Sequence, residues 1–224
     1  MAFANGGRIV TDGLVLSLDA SDRNSYASGS TTWTDLSGNS NNGTLVNGPT
    51  FSSANGGSIV FDGTDDYIDI GKTATQLGVY DADYTFDAWV YPTNFTGDRT
   101  MFGTDTQAVR QGLHLVFRGA AGTIYQGHYG ADYGVGTGTL NAWNNICYTY
   151  RRSSRLASIY KNGALQGAGG IDSFIGTTNI LIGRSLGGGY FVGNGSIYKI
   201  YNRALSASEI LQNYNASKSR FNLK

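Results

Sequence analysis

Cysteine, proline and glutamate are nearly absent from this 224-residue chain, and each absence excludes something. Cys147 is the only thiol, so no intrachain disulfide can form. Its place in the run Ile146-Cys147-Tyr148 reads as a buried, inert side chain. Glu209 is the single glutamate, and the other acids are aspartates. Charged residues make up 14% of the chain, with 16 acids against 16 bases. A net charge of zero lacks the basic footprint of a nucleic-acid binder. It equally lacks the polybasic character of a membrane-surface protein. No apolar run approaches the ~20 residues of a membrane span, so no membrane insertion is expected. Residues Met1 to Arg8 carry no charged segment followed by an apolar one, so the expectation is synthesis without a signal peptide.

Glycine (33 residues) and aromatic side chains (12%) are plentiful. Their combination fits many tight turns between packed strands rather than disorder. A chain of this length buries about 70% of its unfolded surface and needs no disulfide or metal to fold. The dominant period is two: Tyr84, Phe86, Ala88 and Val90 share one face, and Thr85, Asp87, Trp89 and Tyr91 the other. Similar short runs rich in Val, Ile, Tyr, Phe and Thr recur from Leu14 to Tyr201. Asn162-Gly163 marks a hairpin, because both residues tolerate the positive φ angles of a type I′ turn. Ser206-Ala207-Ser208-Glu209 reads as a capping box opening a helix of about two turns over 209–214. About a dozen short strands and one short helix near the end predict an all-β fold, either a two-sheet sandwich or a barrel. With no linker or repeat, residues 1–224 are expected to form one domain. Trp89 and Trp143 are expected to fill the space between the sheets.

Catalytic signatures are weak. Gly183-Arg184-Ser185-Leu186-Gly187 matches a nucleophile elbow, but no helix follows it to make the strand–turn–helix that motif requires. His114 and His128 lie on separate predicted strands with no cysteine cluster, so zinc is unsupported. No phosphate loop is present. Glycoside hydrolysis needs two carboxylates flanking the bond. Glu209 is explained by its cap, and the closest pairs, Asp65-Asp66 and Asp81/Asp83, read as loop chemistry. The expectation is a protein that does not catalyse, with a glycoside hydrolase as the remote alternative and no required cofactor.

Several blocks, in order, resemble those of laminin-G-like jelly rolls in the concanavalin A-like lectin/glucanase superfamily. They include Gly13 to Ala20, Trp33 to Asn39, Val60 to Ile68, Phe86 to Val90, Trp143 to Ile146, Tyr160 to Gly163 and Tyr201 to Ser206. The resemblance covers nearly the whole chain and implies an all-β, two-sheet antiparallel jelly-roll sandwich with one short C-terminal helix. The superfamily's glucanases carry a Glu-x-Asp-x-(x)-Glu run that this chain lacks. Relatives hold calcium at the sandwich rim, which makes Asp35, Asn42, Asp62, Asp65 and Asp66 candidate ligands through their oxygens. The ends, Arg8 to Leu14 and Gln212 to Phe221, are similar to stand-alone virion proteins of marine tailed bacteriophages. That likeness implies a head decoration, fibre or adhesin located in the virion. Its partners would be other virion proteins, copies of itself in a homo-oligomer and a cell-surface glycan. The alternative is a free-standing, extracellular lectin-like module.

Sugar recognition stacks an aromatic ring on the apolar face of a pyranose and fixes its hydroxyls with polar side chains. The richest stretch for this runs from Ile124 to Gly138. The candidate ligand contacts are Tyr125, His128, Tyr129 and Tyr133, with Arg110 and Arg118 near in sequence and Tyr190 in another glycine loop.

Overall fold

The computed structural model describes residues 7–223. Its strands are β1 (Leu14–Asp19), β2 (Thr32–Trp33), β3 (Gly43–Val46), β4 (Thr50–Ser52), β5 (Ser58–Asp62), β6 (Tyr67–Thr73), β7 (Tyr84–Pro92) and β8 (Asp98–Gly103). They continue with β9 (His114–Arg118), β10 (Thr123–Gly127), β11 (Asp132–Thr137), β12 (Asn144–Arg151), β13 (Leu156–Lys161), β14 (Ala164–Gly170), β15 (Asn179–Ile182) and β16 (Val192–Tyr201). One helix, α1 (Ala207–Ser217), follows, and a 3₁₀ turn over Lys218–Phe221 extends it.

The strands form two antiparallel eight-stranded sheets. The back sheet runs β14-β13-β12-β7-β16-β5-β4, with β1 also paired to β16. The front sheet runs β11-β10-β9-β8-β15-β6-β3-β2. This is the jelly-roll sandwich that the family resemblance implies, and of the two folds open to the period-two pattern it is the sandwich. Between the sheets lie Tyr84, Phe86, Ala88 and Val90 of β7, with Phe102, Leu115, Phe117, Tyr148, Tyr150 and Tyr198 among their neighbours. Asn162 and Gly163 turn the β13–β14 hairpin at φ of 52° and 77°, as that dipeptide allows.

The two tryptophans do not fill the space between the sheets. Trp89 projects from the outer face of the back sheet, where Phe221 stacks on it at 4.2 Å between centroids and 16° between planes. Tyr214 stacks on it at 5.7 Å, and Trp143 packs on Phe221 at 4.6 Å. The alternation along β7 was legible, but one buried face was presumed where two exist. The C-terminal helix supplies the second cover.

That helix is longer than two turns, spanning 11 residues. Its capping box is complete: the Glu209 N–H donates to the Ser206 hydroxyl, and the Ser206 N–H donates to the Glu209 carboxylate. Arg203 adds a two-pronged salt bridge to the same carboxylate. Together the arginine and the cap hold the Glu209 carboxyl down at about 2. Beneath the helix, Lys199 and Asp87 form an ion pair at 3.2 Å with both side chains 3% exposed. Asn145 donates to the other Asp87 oxygen at 2.6 Å, so the buried carboxylate is satisfied from two neighbouring strands. Cys147 is buried beside them, and burial pushes its thiol well up.

Candidate functional site

The outer face of the front sheet carries the polar and aromatic residues. In β6, Ile68 and Ile70 are buried while Tyr67 and Asp69 point the other way. Asp69 sits opposite Leu181 of β15, and Leu181 opposite Gly103 of β8. Tyr67, Asp69 and Leu181, together with Asp105, Thr178 and Asn179, line an open groove of about 410 Å³. Asn179 donates to Asp69 at 3.2 Å.

A wall rises beside this floor. The segment Gly183 to Phe191 crosses β8, and a methyl group on Gly103 would collide with the Ser185 side chain and the Arg184 carbonyl. Glycine there is therefore what lets the loop lie on the sheet. The loop is pinned by Leu186 N–H to Thr104 O at 2.8 Å and by Thr100 to Ser185 at 2.7 Å. Arg184 pairs with Asp105 at 2.8 Å and lies over the Tyr67 ring at 4.8 Å and near the Tyr190 ring at 5.6 Å. Two tyrosines and a carboxylate thus hold one guanidinium rigid.

A second cluster occupies the far side of the same face. Arg118 forks onto Asp98 with two bonds of 2.9 Å, reaches Asp132 at 3.2 Å and lies over Tyr125 at 4.6 Å. Those bonds hold the Arg118 proton above its ordinary value. His114 Nε2 lies 3.0 Å from the other Asp132 oxygen. Partial burial pushes the Asp132 carboxyl up, but His114 and Arg118 more than offset it and the net displacement is downward.

The seven residues expected to contact a ligand separate into three places. Tyr125, Arg118 and Tyr190 lie on the front sheet's outer face or its wall. Tyr129 and Arg110 sit at the rim: Arg110 N–H donates to the Tyr129 carbonyl at 3.0 Å, and its guanidinium is tied to Ser173 and lies near Asp81. His128 and Tyr133 are corrections. His128 is fully buried, its Nδ1–H donating to the Asp172 carbonyl and its Nε2 accepting from Tyr84 at 2.6 Å. Burial drives its proton affinity down to about 4. The Tyr133 ring lies against Gly167 and Gly169 of β14, closing the sandwich edge between β11 and β14. Tyr67, Asp69, Asp105, Asn179 and Arg184 were missed. The alternation in β6 could have shown Tyr67 and Asp69; nothing local marks Asp105.

The metal candidates divide as well. The Asp35 carboxylate already accepts from Ser17 N–H (2.8 Å), Ser37 N–H (2.9 Å), the Ser37 hydroxyl (2.7 Å) and Asn41 N–H (3.0 Å). Asn42 is spent on the Asp35 N–H at 2.9 Å. These two residues build a loop and have no oxygens to spare for a shared site. Asp62, Asp65 and Asp66 do converge, with carboxylate oxygens within 4.8 Å of one another. Asp62 Oδ1 accepts from Thr64 N–H, which together with neighbouring amides lowers its carboxyl despite some desolvation. Burial, then crowding by Asp62 and Asp65, raises Asp66. The remaining oxygens suit a hard divalent cation such as calcium.

Fold and face together define a β-sandwich of the lectin type. The family model described as the concanavalin A-like lectin/glucanases superfamily matches residues 62–211, and the chain belongs to that superfamily. No curated protein matches it. Among solved structures it is similar to domain 4 of AbnA, a GH43 extracellular arabinanase from Geobacillus stearothermophilus, in complex with arabinotriose. The identity is 18% and the TM-score 0.70, over 90% of this chain and 98% of that one. It also resembles the binding domain of Paraclostridial Mosquitocidal Protein 1 (18%, 0.68, 92% of this chain) and Trypanosoma rangeli sialidase (17%, 0.68, 93%). The chain spans 52% of the former and 33% of the latter.

Proposed function

We propose that this protein binds carbohydrate without cleaving it, in the groove on the outer face of its front sheet. The observation that carries this reading is the groove itself: a tyrosine, a hydroxyl, an amide and two carboxylates around a cavity of about 410 Å³. That size falls within the range of small-ligand sites, and its donors and acceptors suit sugar hydroxyls. The arabinotriose complex of the arabinanase domain, which shares the architecture from end to end, supports the reading. The engagement of two of its acids supports a non-catalytic role. Glu209 is held ionised in its cap, and Asp105 is tied to Arg184. Glycan-array screening followed by calorimetry tests the proposal. Binding should fall at least tenfold in Asp69→Ala, while release of reducing sugar from any bound glycan would overturn the non-catalytic part.

The setting we propose is the virion of a tailed phage, supported by the likeness of Arg8 to Leu14 and Gln212 to Phe221 to phage proteins. Many copies arrayed on a particle would convert weak single-site binding into firm attachment. Mass spectrometry of purified particles tests it. Calcium held by Asp62, Asp65 and Asp66 is the cofactor we propose.

A further inference from the structure

We infer that the groove accepts the uncharged terminal residue of a glycan chain, and rejects both acidic sugars and the interior of a chain. The inference rests on the carbohydrate reading above and deepens it. Two features of the groove carry it: its shape and its charge.

The groove is blind on one side. Leu181 on its floor lies directly opposite Gly103, and the loop bearing Arg184 and Ser185 stands on Gly103. No side chain separates floor from wall. The wall is braced by Arg184 bonded to Asp105, Ser185 bonded to Thr100 at 2.7 Å and Leu186 N–H bonded to the Thr104 carbonyl at 2.8 Å. On the opposite side the sheet continues as β6, β3 and β2. There Asp69 is paired with Thr44 and Thr44 with Thr32, both short and exposed, so nothing obstructs entry. A chain that enters across β2 and β3 therefore meets the loop at Asp105 and Arg184, where its end residue stops. An internal sugar would have to pass through the braced loop.

The charge of the lining sets the second preference. Asp69 and Asp105 put two carboxylates in the lining, and Arg184 stands beside them paired with Asp105. Arg184 is already paired, so the groove presents a net negative charge and a surplus of acceptors. Hydroxyl groups, which donate, suit such a lining. A uronate, sialate or sulfate would meet like charge at short range, which disfavours it.

The test is a glycan array of matched pairs, lactose against 3′-sialyllactose and neutral oligosaccharides against their uronate-ended counterparts, repeated with each neutral glycan extended by one sugar at its non-reducing end. The best pair is then followed by calorimetry. Acid-ended and end-extended forms should bind at least about tenfold more weakly than the neutral, unextended one. Asp105→Asn, which removes one negative charge and frees Arg184, should narrow the neutral-to-acidic gap. Equal or tighter binding of acidic glycans, or of end-extended ones, would overturn this inference and leave carbohydrate binding standing. Binding of no glycan at all would remove the carbohydrate reading, and this inference with it.

Discussion

At His128, burial and two hydrogen bonds fix a neutral ring between Tyr84 and Asp172. Its proton affinity in the folded state, about 4, lies below the ordinary 6.5. The unfolded chain therefore takes up a proton first as pH falls. The stabilisation is complete above pH 6.5 and is lost between 6.5 and about 4, amounting to on the order of 3 kcal/mol. Thermal melts should show that slope, and ring-proton NMR should find no titration of His128 near 6.5. Glu209, lowered from 4.5 to about 2, works in the same direction over a more acidic window. Its contribution is present above 4.5 and disappears as pH falls through about 2. Ser206→Ala should cost about 1 kcal/mol at neutral pH in urea denaturation. Calcium at about a hundred times its dissociation constant should stabilise the fold by about 2.7 kcal/mol, read as a shift in Tm that EDTA reverses. Asp62→Asn should abolish that shift, whereas Asn42→Ala should leave it intact, because Asn42 is spent within its own loop. Sequence alone reached the acids of Asp62 to Asp66, which are adjacent in the chain. It could not see that Asp35 was already saturated by four donors.

Among the elements, the C-terminal helix and the loop over β8 matter most. Phe221→Ala removes a ring stacked between two tryptophans on the outer face of the back sheet. It should cost about 3–5 kcal/mol and shift the emission of Trp89 and Trp143 to the red as water reaches them. Gly103→Val should displace the Arg184–Ser185 segment and weaken glycan binding far more than it lowers Tm. The strands with alternating β-branched and aromatic residues, such as β7, β12 and β16, were legible because side-chain period and burial agree there. β14 was not, since Ala164 to Gly170 holds four small residues in a row and no aromatic. It becomes a strand by pairing with β13 and by receiving the Tyr133 ring. The same long-range packing explains why His128 and Tyr133 misled: a tyrosine-rich stretch looks alike whether it faces water or closes a core.

For the whole molecule, the pairing of β1 with β16 joins residues nearly two hundred positions apart, Leu14 with Tyr201. Sandwiches closed by such distant pairs fold on the ms–s timescale, and stopped-flow refolding should fall there rather than in microseconds. Strand content and the closing helix were readable because period, turns and the helix cap agree, but the choice of a sandwich over a barrel came from the family resemblance. The groove was not, because its walls come from β6, β15 and two loops that only the folded sheet brings together. One arrangement described above also fixes an orientation. Arg8 is bonded to Gln212, Val10 to Asn213, and Leu223 packs beside Trp89, all on the back of the sandwich. Both ends of the described span therefore lie on the face opposite the groove. Contacts made by those ends and contacts made by the groove are thus separated by the full thickness of the sandwich.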